Sequence, residues 1–274
     1  MKKNLNVILA ILLLMIFSVR FIHLSADPPE TLSQSAGEYG DPGGYAFNAR
    51  NKILFGQWEI DLFNPMYHTI IPHFVTYCFF TLFGVGIAPM NLVPVFFGSL
   101  ILLLMFFLFR KIFDTSLALL AFSTLGINYL FIMYSRIANR IMPMIFFLLL
   151  ALFFLIKETD SKGWLLPAGI FTFLAFMTKG ICLYILLAFV LGFLLHLIFN
   201  YKLKEIAFRI TLFAAGFLAC FAVWYKIIYI PYGYVLKGLS QINAAFLIPP
   251  KSITKILVHF WTRPPILFSN MPVL

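Results

Sequence analysis

The stretch NLVPVFFGSLILLLMFFLF, Asn91 to Phe109, carries no charge and ends on Arg110-Lys111. Its length is close to the roughly 20 apolar residues that a helix needs to cross about 30 Å of hydrocarbon. A basic pair at the end of such a run is the signature of a cytoplasmic membrane boundary. Similar runs fall at about 5–24, 67–86, 115–134, 141–156, 164–178, 181–199 and 207–230. No ten-residue alternating pattern with turns recurs, so the expected spanning form is the helix and the fold class all-α, a polytopic helical bundle.

Composition agrees. Of 274 residues, 62% are hydrophobic and 11% charged, with a mean hydropathy of +0.97. A soluble domain carries roughly 25% charged residues, so a water-soluble enzyme is excluded. The 34 Phe suit lipid-facing and interfacial surfaces. The net charge of +10 does not imply nucleic acid, because the basic residues sit at the ends of apolar runs and not on one polar face. Cys78, Cys182 and Cys220 lie inside apolar stretches without metal or redox spacing. The run 5–24 is longer than a usual signal-peptide core and lacks a good cleavage site, so it reads as an uncleaved first span.

Charge also orders the topology. Basic clusters occur at Lys2-Lys3, Arg110-Lys111, Lys157 with Lys162, and Lys202, Lys204 and Arg209. Placing all four on the cytoplasmic side conflicts with eight full spans. The conflict disappears if 67–86, which holds His68, Pro72, His73, Tyr77 and Thr81, is an interfacial or re-entrant element. About seven spans then remain, with the N-terminus cytoplasmic in a cell inner membrane. The alternative is an eighth span that breaks the charge rule. On the seven-span reading the loop 25–66, the link 135–140, the turn at Thr178-Lys179-Gly180 and the tail from Ile230 share the outer face. Cations there are not inner-leaflet anchors and are candidates for binding an anion.

The loop 25–66 is the most informative polar segment. Pro42-Gly43-Gly44 marks a turn, and Asp41 is placed to cap a following helix on which Tyr45, Asn48 and Ala49 share a face. A carboxylate held there could equally act as a general base. Glu38 is a second acid nearby.

The sequence Asp41-x-Gly-Gly-Tyr-x-x-Asn-Ala-Arg-Asn-Lys, with Leu54-Phe55-Gly56-x-Trp58 and Asn64-Pro65-Met66-Tyr67, resembles the first outer loop of family 39 type membrane glycosyltransferases. These C-type enzymes are related to protein O-mannosyltransferases and the aminoarabinose transferase of lipid A. Phe83-Gly84-Val85-Gly86, Tyr134-Ser135-Arg136-Ile137-Ala138, Met177-Thr178-Lys179-Gly180 and Trp224-Tyr225 continue the resemblance in order. It implies a seven-helix core with juxtamembrane helices in the first outer loop. It also implies a sugar donor on a polyprenyl phosphate and inverting transfer on the extracytoplasmic face. The acceptor class, whether protein, lipid or polysaccharide, is left open, and membrane lipids are the other expected partners.

On this resemblance Asp41 is the catalytic base. Tyr45, Asn48, Arg50, Asn64, Tyr67, His68, Arg136, Arg140, Lys179 and Trp224 are expected at the substrate. Arg136, Arg140 and Lys179 would receive the lipid phosphate as it gains charge. Each has a plainer reading: Lys179 snorkelling, the two arginines capping a helix pair, Trp224 anchoring at the interface. His68 and His73 lack a carboxylate partner, so no metal site or cofactor is expected, although a divalent cation is left open.

Two departures stand out. Relatives often carry an acid directly after the first Asp, where this chain has Pro42. Many also carry one shortly after the position of Arg136, where Asn139, Arg140 and Ile141 stand here. The chain reads as one transmembrane glycosyltransferase domain over 1–274, with 231–274 as the start of a second outer loop and a truncated C-terminus. The rival readings are a lipid-linked-sugar flippase or transporter, or an inactive partner subunit. No internal repeat or midplane polar cluster favours a transporter.

Overall fold

The computed structural model describes residues 14–26, 41–58, 70–179 and 182–230. The chain divides into two units, Met1–Ile230 and Pro231–Leu274, and the second lies outside the described residues. Among the described residues the fold is all-α, without a strand.

The helices are α1 (14–21), α2 (Asp41–Phe55), α3 (Ile70–Phe83), α4 (Ile87–Ile112), α5 (Thr115–Ile127), α6 (Tyr129–Tyr134), α7 (Ile141–Lys157), α8 (Leu165–Phe176), α9 (Cys182–Asn200) and α10 (Leu203–Trp224). A short 3-10 turn, Lys162–Trp164, leads into α8, and a π-helical turn, Tyr225–Tyr229, continues α10. The decisive run 91–109 lies within α4, which extends beyond it at both ends.

Two helices are long and apolar enough to cross a bilayer, Ile87–Ile112 and Leu203–Tyr229. In the second only 11% of the apolar window is buried. An apolar helix that faces outward needs lipid, not water, around it. The helix α3 has 14 residues and rises only about 21 Å, short of the hydrocarbon thickness. The run 115–134 is not continuous. Asn128 adopts extended backbone angles, ends α5, and accepts a hydrogen bond from the Phe131 amide at 3.0 Å to start α6. A short polar side chain that can bond its own backbone is a natural place to interrupt an apolar helix.

The central packing brings α4, α7 and α8 together through Val93, Phe97, Ile101, Met142, Phe147 and Ala175. Lipid tails are as apolar as these side chains, so close van der Waals fit, more than transfer from water, holds them. Small residues allow that fit. A Cβ at Gly169 would overlap the Phe213 carbonyl of α10, and one at Gly216 would overlap the Leu166 carbonyl of α8. The two helix backbones therefore touch directly.

Chain direction sorts the polar residues into two ends. The helix α7 runs from Arg140 at its N-cap to Glu158 at its C-cap, a rise of about 25 Å. Lys111, at the end of α4, pairs with Asp160 at 2.6 Å, and Lys162 with Glu205 at 3.7 Å. Glu158 pairs with Arg209, accepts from the Tyr201 hydroxyl at 3.0 Å, and lies 3.4 Å from His196. Three of the four basic clusters thus meet at one end, as the charge pattern predicts.

Candidate functional site

The opposite end gathers α1, α2, α3 and the link between α6 and α7. The helix α2 starts at Asp41, and its second turn carries Tyr45, with the Arg140 guanidinium 4.3 Å from the Tyr45 ring centre. A guanidinium over an aromatic face is held in orientation while keeping its N–H edge for other partners. The rest of the α2 inner face, Ala46 and Ala49, packs against Phe80 of α3, Met90 of α4 and Ala138 of the link. Trp58, beyond the end of α2, meets Tyr77 at 5.3 Å between ring centres.

The link is stitched by asparagines. Asn139 Oδ1 accepts from the amides of Ile141 at 2.9 Å and Met142 at 3.1 Å, capping α7. Its Nδ2 donates to the carbonyls of Tyr134 at 2.6 Å and Ile137 at 2.5 Å. A carboxylate could cap α7 but could not donate to two carbonyls, which gives the Asn at this departure a physical reason. Asn91 bridges in the same way: its Nδ2 donates to the Leu24 carbonyl at 2.8 Å, and its Oδ1 accepts from the Ala138 amide at 3.0 Å. Gly98 lets the link sit close, since a Cβ there would come within 2.6 Å of the Ser135 Cβ.

Arg136 also reaches α1. Its Nη2 donates to the Ile22 carbonyl and to that of His23 at 3.3 Å. It is therefore a tether between the link and the segment after α1, a role its sequence position did not reveal. Arg50 lies on the exposed side of α2, over the Phe47 ring at 5.1 Å and donating to Asn51 Oδ1 at 3.1 and 3.2 Å. Asn48 is fully buried.

Lys179 follows α8, which begins beside the charged end, so it emerges at the same end as Arg140. Trp224 closes α10 at that end too, in an aromatic group with Phe221, 5.7 Å away, and Tyr229, 5.9 Å away. Between α3, α8 and α10 runs an apolar groove of about 360 Å³, lined by Ile70, Ile71, Met177, Cys220, Trp224 and Ile227. Its lining includes the first two residues of α3 and Met177, two residues before Lys179. Asn64, Tyr67 and His68 lie outside the described residues, and of Asp41 only its place in the helix is described.

Sequence reasoning missed two buried groups. Arg20 of α1 is fully buried, donates to the carbonyl oxygens of Ile16 and, at 3.1 Å, Gly126, and faces the Phe131 ring at 5.3 Å. His73, expected as a polar residue of an interfacial or re-entrant element and as half of a weak metal pair, is buried in α3. Burial pushes its imidazole down to about 3, and the Arg140 charge acts in the same direction. The Tyr45 backbone pulls weakly the other way. His73 is thus neutral at physiological pH. Among the described residues no group of three or more His, Cys, Asp or Glu is placed to hold a metal.

An outward-facing apolar bundle, with cations and aromatics collected at one end beside an apolar groove, is the background for the comparison with known families. The model of the dolichyl-phosphate-mannose-protein mannosyltransferase family matches residues 67–226. The chain belongs to this family. No curated protein and no solved structure matches it. Membership carries glycosyltransferase activity with a lipid-linked sugar donor, and association with a membrane. The family match spans α3 to α10 and the π turn as far as Lys226, so it includes Arg136, Arg140, Lys179, Trp224 and the groove lining up to Trp224. It begins after α2, and Asp41, Tyr45, Asn48 and Arg50 precede it.

Proposed function

We propose that this transferase takes a sugar from a polyprenyl phosphate and passes it, with inversion, to an acceptor on the extracytoplasmic face, with Asp41 as the base. The observation that carries the reading is the assembly at one end of the bundle. The start of α2, the Tyr45–Arg140 stack, Lys179 and the Trp224 groove all belong to the end opposite Lys111, Glu158 and Arg209.

The groove suits an isoprenoid chain because its lining is apolar, and Lys179 follows its lining residue Met177 by two positions. Arg140 offers a planar edge to phosphate oxygens, and Lys179 a point charge. Arg136 positions the link as well as adding charge. As the bond from the anomeric carbon to the phosphate oxygen breaks, the phosphate leaves with the electron pair, and these cations stabilise it where water is scarce. The acceptor hydroxyl attacks the opposite face, and its proton passes to the Asp41 carboxylate. Arg50 of α2, with Asn64, Tyr67 and His68, completes the proposed substrate surface, and Asn48, fully buried, is not part of it. About seven spans, with the basic clusters facing the cytoplasm of an inner membrane, put this end outside.

The test is Asp41→Asn in the full chain, assayed for transfer from a short-chain polyprenyl-phosphate sugar. The expected outcome is a fall of about 100-fold or more in kcat with the protein still folded. Transfer at the unsubstituted rate would remove Asp41 from the mechanism.

A further inference from the structure

Three consecutive backbone carbonyls just after α1, those of Ile22, His23 and Leu24, each accept from a side chain of a distant segment. Arg136 donates to the first two, and Asn91 Nδ2 donates to the third at 2.8 Å. Carbonyls at the end of a helix lack partners within it and carry the negative end of its dipole. His23 has a φ of 50°, the left-handed backbone that commonly ends a helix but that residues other than glycine rarely adopt. Such a backbone persists where its surroundings hold it, and here the donors from α4 and the link do so.

Asn91 does more than brace this turn. It stands in the second turn of α4, is only 5% exposed, and uses both ends of its amide. While Nδ2 holds the Leu24 carbonyl, Oδ1 accepts from the Ala138 amide at 3.0 Å. Ala138 packs with Ala46 and Ala49 of α2, and two residues further on Arg140 lies over the Tyr45 ring. One side chain thus joins the turn after α1 to the link that carries Arg136 and Arg140. Asn91 and Ala138 lie inside the family match, whereas Leu24 and Tyr45 precede it, so the bridge ties the two parts together. A carboxamide can donate at one end and accept at the other, and a leucine of similar size can do neither.

From this geometry we infer that Asn91 is a positioning residue of the transferase. It acts through the link and not on the sugar: it fixes the backbone at Ala138, and so the direction from which Arg140 reaches the phosphate. The consequence for transfer rests on the glycosyltransferase reading of this end, but the bridge itself does not. A residue that acts through Arg140 matters only while Arg140 is present. One that merely supports the fold is needed in either case.

The experiment is a double-mutant cycle in the full chain, reconstituted in lipid nanodiscs, with a short-chain polyprenyl-phosphate sugar as donor. Asn91→Leu alone is expected to lose about tenfold in kcat with KM within about twofold. Added to Arg140→Ala, it is expected to cost less than about twofold more. Hydrogen exchange of the link, 135–140, should be about tenfold faster in Asn91→Leu, because the Ala138 amide has lost its acceptor, with α10 unchanged. Asn91→Ser, smaller and polar, takes its place in both measurements if Asn91→Leu does not fold. An equal loss in both backgrounds overturns the inference, as does an unchanged rate in the single variant or link exchange at the parent rate. If the parent itself transfers no sugar, the reading of the site fails, and link exchange still decides the bridge.

Discussion

The two ends of the bundle use charge in opposite ways. At the end with Lys111 and Glu158, cations meet carboxylates: Lys111 with Asp160, Lys162 with Glu205, Arg209 with Glu158. At the other end the contacts seen include carbonyl oxygens and aromatic faces, Arg136 on Ile22 and His23, Arg140 on Tyr45, Arg20 on Ile16 and Gly126. A cation neutralised by a carboxylate has little left for a passing phosphate. One held by carbonyl oxygens or a ring keeps its full charge and a fixed direction. The first arrangement closes an end of a bundle, and the second orients its cations, which is what the proposed phosphate site requires.

The largest expected effect lies at the closed end. Glu158→Gln strands Arg209, whose side chain is 6% exposed against 1% for Glu158, and should cost about 3 kcal/mol of stability. Thermal unfolding in detergent checks this, and transfer per folded molecule should be unchanged. Arg140→Ala should do the reverse. A fall of about 100-fold in transfer, equivalent to about 2.7 kcal/mol in the barrier, is expected with a melting midpoint near that of the parent. If both variants lost stability alone, the contrast between the ends would collapse.

The next effect is a pH dependence. His73 has an ordinary value of 6.5 and a folded value of about 3, so between these limits the unfolded chain binds a proton that the folded chain refuses. The proton-linked cost of its burial is therefore absent above about pH 6.5, and stability declines as pH falls towards 3, by up to about 1.4 kcal/mol per unit. Melting midpoints at pH 7 and pH 5 should differ more in the parent than in His73→Gln. The smallest effect belongs to Lys111. It holds the Asp160 carboxyl below its usual range through a hydrogen bond, but both side chains reach solvent, at 30% and 57% exposure. Lys111→Ala should lower the midpoint by no more than about 2 °C, and by less in high salt.

Much of this was legible in the chain. The apolar run from Asn91 to Phe109 and the basic pair after it are visible without coordinates, because a span needs length and composition, not a particular neighbour. Tyr45 and Arg140 could both be picked out as candidates from the outer-face segments, but their contact could not. The break at Asn128 was not, since an Asn within an apolar run is compatible with an unbroken helix until its side chain is seen bonding the Phe131 amide. That Arg136 is also a tether was not readable, because the tether depends on carbonyls more than a hundred residues away.

By itself the sequence determined that the chain is helical, lies in a membrane and orders its charged ends. These follow from local composition, which sets the free energy of each segment in lipid against water. Only the tertiary structure decided which cations meet carboxylates, which meet carbonyl oxygens or rings, and that a buried histidine stands near Arg140. Those outcomes depend on which distant segments meet, and pairing between helices leaves no trace in the periodicity of either one.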